Sequence, residues 1–74
     1  MNKQRRQLIK KNIDILEVVK SNLESIMEDE QDYFDNMPEN LQGSSRGEIA
    51  EEAIDLLNDI IDKIDDCIDS LDGI

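Results

Sequence analysis

The sequence has no histidine and no tryptophan, one cysteine, one proline, three glycines, and a single tyrosine and a single phenylalanine. Without histidine there is no imidazole to act as general base or metal ligand, and the Glu-x-x-His pairing of di-iron bundles is excluded. One cysteine, Cys67, allows no disulfide framework within the chain and fits a reducing compartment. No apolar run approaches the roughly 20 residues of a membrane span. The opening MNKQRRQLIKKN is basic and polar where a secretory signal needs an apolar stretch. Phosphate-loop and nucleotide fingerprints are missing. The oxygen-rich run DEQDYFDNMPEN lacks the Asp-x-Asp-x-Asp-Gly spacing of a calcium loop and carries Met37 and Pro38 where ligands and a turn glycine are wanted. Solvated carboxylates with no concave site offer no acid–base pair, so the expectation is a protein that is not an enzyme, binds no metal and no cofactor, and is cytoplasmic.

Charge and aliphatic residues are what the chain has in quantity. Its 74 residues are too few for more than one domain and marginal for a self-sufficient core. Nineteen Asp and Glu against eight Lys and Arg give a net charge of −11. The distribution is uneven: Lys3, Arg5, Arg6, Lys10 and Lys11 stand in the first thirteen residues with no acid among them. Bases at a helix start and acids at a helix end both oppose the macrodipole. Two antiparallel helices would resolve this by laying the basic start of one beside the acidic end of the other.

Periodicity predicts such a pair. In the second half Ala50, Ile54, Leu57, Ile61, Ile64, Ile68 and Leu71 alternate by four and three, a sustained heptad seam, with Ile49, Ala53, Leu56, Ile60 and Cys67 widening it along one flank. In the first half Ile9, Ile13, Leu16, Val19, Leu23, Ile26, Met27, Tyr33, Phe34 and Met37 recur with a similar average, with Ile15 and Val18 to one side. A two-helix contact needs only the narrow seam, so these broad faces call for further helices. The expected fold is all-α: two long antiparallel helices, about 3–36 and 45–72, forming a hairpin that associates into a four-helix bundle or larger coiled-coil assembly, most simply a dimer. Ile54, Leu57, Ile61, Ile64, Ile68 and Leu71 are the expected oligomer seam.

Between the helices, residues 37–44 form a corner. Pro38 cannot continue the hydrogen-bond ladder of a preceding helix, PENL has the makings of one short turn, and Leu41 is placed to fold back onto the apolar faces. Ser45 with Glu48 matches the Ser-x-x-Glu capping box for the second helix, and Gly47 weakens that helix's first turn. Tyr33 and Phe34 are expected to close this end of the bundle. Asn36, Asn40, Gln42, Ser44 and Arg46 could together read a small polar or anionic molecule. For Arg46 the simpler expectation is a salt bridge to Glu39 or Glu48.

The run EDEQDYFDNMPENLQGSSRGEIAEEAID, residues 28–55, resembles a segment shared by small hypothetical proteins of Gram-positive bacteria and their phages. That segment's usual form is acidic residues, an aromatic, DNMPENLQ, a Ser, an Arg and a helix opening AEEAI; the aliphatic and acidic repeat after it matches loosely. The resemblance implies a phage or mobile-element setting in a host cell's cytoplasm and carries no established activity. Chains of this size and charge in such a setting resemble inhibitors of host defence, among them anti-CRISPR proteins and DNA mimics. Independently of the resemblance, Glu48, Glu52, Asp55, Asp59, Asp62, Asp66 and Asp69 alternate by four and three along the second helix and make a straight acidic stripe of about 30 Å. Such a stripe can occupy a basic groove meant for phosphates. The expected partner is therefore a host protein with a basic surface, with no direct nucleic-acid contact and no membrane. Two alternatives stand beside this: an oligomeric bundle binding a nucleotide-like ligand at the corner, and a purely structural self-assembling module.

Overall fold

The computed structural model describes residues 1–74 and is all-helical, with no strand: α1 is Lys3–Asp35, α2 is Glu39–Gln42 and α3 is Ser45–Asp72. No peptide is cis and no residue has positive φ. α1 and α3 lie antiparallel as a thin hairpin of 58 × 15 × 12 Å. No helix is long and apolar enough to cross a membrane.

α1 starts where Asn2, in extended backbone, accepts the Arg5 N–H on its Oδ1 at 2.8 Å. It runs 33 residues without Gly or Pro and stops one residue before Asn36, whose N–H donates to the Asp32 carbonyl at 3.0 Å. Pro38 then turns the chain, and its carbonyl accepts from Leu41 N–H at 2.8 Å and Gln42 N–H at 3.2 Å to make the single turn α2. The Gln42 side chain ties this turn back, donating from Nε2 to the carbonyls of Phe34 and Met37 at 3.3 and 3.4 Å. Carbonyls at the end of α1 that have lost their helical partners are satisfied in this way.

The entry to α3 differs from the capping-box expectation. Ser44, one residue earlier than Ser45, is the cap, with extended φ and ψ and a carbonyl that accepts the Glu48 N–H at 2.9 Å. Its hydroxyl donates to the Leu41 carbonyl and caps no amide of α3. Ser45 is already helical, one position too deep for a capping side chain to reach back. Gly47 is also more than a weak helix former. It is buried, and a Cβ there would run into the Gln42 carbonyl, so α2 can lie on α3 only because this position has no side chain. Leu41 does not fold back; it stays exposed, as does Tyr33, while Phe34 alone of the aromatics is half-buried at this end.

The seam between the two long helices follows strict four–three spacing. On α3 it is Gly47, Ala50, Ile54, Leu57, Ile61, Ile64, Ile68 and Leu71, with Ala50, Ile61 and Ile68 the buried hydrophobic core. On α1 the inward positions are Ile9, Ile13, Leu16, Lys20, Leu23, Met27, Glu30 and Phe34, and Met37, just past the end of α1, continues the count. Val19 and Ile26, expected inside, lie outside: counting four and three from Ile9 lands on Lys20 and Met27, and helix geometry outweighs the hydrophobicity of the neighbouring residue. Lys20 accommodates its inward position by laying its stem along the seam and carrying the ammonium out to Asp65 Oδ1 at 2.6 Å. The α3 seam expected to serve an oligomer is therefore filled by α1 of the same chain.

Candidate functional site

What remains after the seam is closed is a plate with two unlike sides. In an antiparallel pair, the residues one step before the seam on both helices share one side, and those one step after it share the other. The first side is apolar. α1 contributes Leu8, Ile15, Val19, Ile26 and Tyr33; α3 contributes Ile49, Leu56, Ile60, Cys67 and Ile74. These are not incidental tips, since Ile15 is 59% exposed, Ile49 65% and Leu56 61%. Asp29 is the one acid on this side. The bases Arg46 and Lys63 sit at its positions too, so the opposite side receives no base from α3.

The opposite side is acidic. Glu28 and Gln31 of α1 line a shallow groove with Asp55 and Asn58 of α3, which fixes the register that brings the two helices' carboxylates together. All seven residues of the stripe, Glu48, Glu52, Asp55, Asp59, Asp62, Asp66 and Asp69, are exposed along α3. Asp14, Glu17, Glu24 and Glu28 run beside them on α1. Between Asp14 and Glu28 only Lys20 interrupts the carboxylates, pairing with Asp65 at 2.6 Å and with Glu24 at 3.9 Å. The Asp65 hydrogen bond, opposed by partial desolvation and aided by the charges of Asp65, Glu24 and Glu17, holds the Lys20 ammonium above the ordinary lysine value of 10.5. No group of three or more metal-ligating side chains is gathered anywhere in the chain.

Lys20 is the only Lys or Arg in an ion pair. Arg46 therefore makes no salt bridge to Glu39 or Glu48. It borders an open notch with Tyr33, Asn36, Met37, Pro38 and Leu41, where the aromatic ring and the corner leave room beside its guanidinium. Of the other corner candidates, Asn36 caps α1, Asn40 is exposed on α2, and Gln42 is already committed to the Phe34 and Met37 carbonyls. The basic start of α1 is likewise unpaired. Arg6 and Lys10 share a cleft with Asp72 and Ile74, yet no ion pair forms there. Counting outward from Lys20 opposite Asp65, the backbone of Lys3 to Lys10 runs past Asp72 by about two turns, with Ile9 and Lys10 still bordering Leu71 and Asp72 at the last turn of α3.

Two features of this arrangement escape a reading of the sequence alone. The Lys20–Asp65 pair joins residues 45 apart and has no local signature. The contribution of α1 to the acidic side depends on helix register, whereas the α3 stripe can be counted along one helix. Compared with protein-family models, with curated proteins and with solved structures, the chain matches none.

Proposed function

We propose that the protein is a non-enzymatic binding protein that presents the acidic side of a self-associated hairpin to a basic, phosphate-binding surface of another protein. The observation that carries this reading is the density of unpaired carboxylates on one side. From Glu48 to Asp72, α3 bears ten acids, nine of them free of any base. Over about 36 Å of helix that is about one charge every 4 Å, close to the phosphate every 3.4 Å or so along the axis of one DNA strand. A rigid line of charge at this spacing gains from the counterion release that drives phosphate binding, without offering a base to read. The phage setting implied by the DNMPENLQ segment makes inhibition of a host nucleic-acid-acting defence protein, in the host cytoplasm, the biological form of this activity. Self-association into a four-helix bundle through the apolar side accompanies it, because two such plates back to back leave an acidic side facing outward on each. Reading of a small nucleotide-like ligand at the corner has less support, since Gln42 is occupied with α1 and Arg46 is the only cation there.

The test compares wild type with a variant carrying Asp55→Asn, Asp59→Asn, Asp62→Asn and Asp66→Asn. Both are immobilised and exposed to host lysate, with short duplex DNA as competitor. The reading expects proteins retained by wild type, released by duplex DNA and by moderate salt, and lost from the variant. Retention that is equal on the variant, or indifferent to duplex DNA, rejects it and leaves a structural module.

A further inference from the structure

The hairpin exposes more surface than a finished molecule of its size. Its accessible area is 5687 Å² for 8.5 kDa. A compact monomer of that mass exposes about 4,700 Å². The surplus, roughly 1,000 Å², exceeds the ~800 Å² that each partner gives up in a standard-size specific interface. The apolar side, centred on Ile15, Val19, Ile26, Leu56, Ile60 and Cys67, is the side whose burial a second copy would favour. Its near absence of acids on a chain of net charge −11 makes it the one side on which two copies can meet without repulsion.

Charge then decides how they meet. The hairpin is polarised along its length: the start of α1 carries Lys3, Arg5, Arg6, Lys10 and Lys11 in no ion pair, while the corner end of the same helix carries Glu28, Asp29, Glu30, Asp32 and Asp35 in none. Two plates joined by a twofold axis through the apolar sides have two choices. With corners at the same end, the axis runs along the hairpin and each α1 lies over the other copy's α3, so the acidic corner end of α1 meets Glu48, Glu51 and Glu52 at the start of that α3. With corners at opposite ends, each basic overhang lies over the other copy's acidic corner segment. We propose that the apolar side binds a second copy of this chain head to tail, the basic first turns of each α1 clasping the acidic corner end of the other. This rests on the reading of the hairpin as half of a four-helix bundle and adds its orientation and its clasp. It also gives the exposed residues at the start of α1, Lys3 to Leu8, a place to lie.

The orientation is read by electron–electron distance measurement. A nitroxide is placed on Asn40→Cys, at the exposed corner turn, in a Cys67→Ser background, with sedimentation equilibrium run on the same sample. Head-to-tail packing gives one inter-label distance near the length of the hairpin, on the order of 50 Å. A dimer with a distance below about 20 Å keeps the bundle and overturns the head-to-tail orientation; a monomer overturns both. An independent check uses Arg5→Glu with Arg6→Glu. Head to tail, this places acid against acid and weakens the dimer tenfold or more at low salt. A dimer unchanged or strengthened by the double substitution overturns the clasp, because corners at the same end leave Arg5 and Arg6 past the last residue of the other copy's α3, with no acidic partner to lose.

Discussion

Gly47 and Gly43 stand one helical turn apart in the sequence and answer to opposite physics. At Gly47 a methyl group would meet the Gln42 carbonyl, and the obstacle is backbone, which cannot swing aside as a side chain does. Gly47→Ala should therefore cost about 3 kcal/mol, seen as a melting temperature lower by roughly 15 °C. Gly43 has φ −86° and nothing within 4 Å of a Cβ, so Gly43→Ala meets no clash and should stabilise by about 0.5 kcal/mol through the unfolded chain. Equal effects at the two glycines would mean that α2 does not lie on α3 as described. Ser45→Ala, at a position with no capping bond, should change stability by less than about 0.5 kcal/mol. Lys20 supplies the pH dependence. Its ammonium is favoured in the folded state, so its contribution is fully present below the unfolded value of 10.5 and is lost as pH rises through the raised folded value. The melting temperature of wild type should exceed that of Asp65→Asn at neutral pH, and the difference should vanish in strongly alkaline buffer. A difference that persists there would assign the stabilisation to packing and not to the charged bond.

The two long helices have the same architecture and unequal transparency. On α3 every seam position from Ala50 to Leu71 is aliphatic, so counting by four and three finds the inward face directly. On α1 the seam passes through Lys20 and Glu30, while Val19 and Ile26 sit one step off it. A reading by hydrophobicity is drawn to Val19 and Ile26, because nothing within α1 says that Lys20 has a partner on another helix. The acidic stripe of α3 is legible for the same reason as its seam: it is a single helix's arithmetic. Where the α1 carboxylates fall beside it, and that Arg46 stands without a partner, depend on register and corner geometry that arise only when the helices meet. The seam and its flank should respond differently to truncation. Ile68 is 5% exposed, and Ile68→Ala should destabilise by about 2 to 4 kcal/mol at any protein concentration. Leu56 is on the flank, and Leu56→Ala should cost less than about 0.5 kcal/mol in dilute solution and more as concentration rises. Denaturant titrations at two concentrations separate the cases; a Leu56 effect independent of concentration would place that side chain in the hairpin's own core.

At the scale of the molecule, shape and stability are one question. The radius of gyration is 17.0 Å, against about 11 Å for a compact chain of this length. A rod with only Ala50, Ile61 and Ile68 buried as core has little to oppose its chain entropy, and the like charges along its acidic side oppose folding further. In the proposed dimer, burying the apolar sides of two copies against one another would add core, so folding and association should be a single transition. That has a numerical consequence. A chain of 74 residues unfolds with an entropy of roughly 150 cal/mol/K, or about 300 for two. Tenfold dilution of a dimer that dissociates on unfolding shifts its free energy by about 1.4 kcal/mol, which lowers the midpoint by about 5 °C. Melting curves followed by circular dichroism from micromolar to hundreds of micromolar protein should show that slope. Added salt should screen both the repulsion between carboxylates within a copy and, in the proposed head-to-tail dimer, the attraction between basic overhang and acidic corner, moving the midpoint while leaving the concentration slope in place. A midpoint that is flat across the concentration range would mean that the three buried aliphatics hold the hairpin alone, and the apolar side would then need a different partner to cover it.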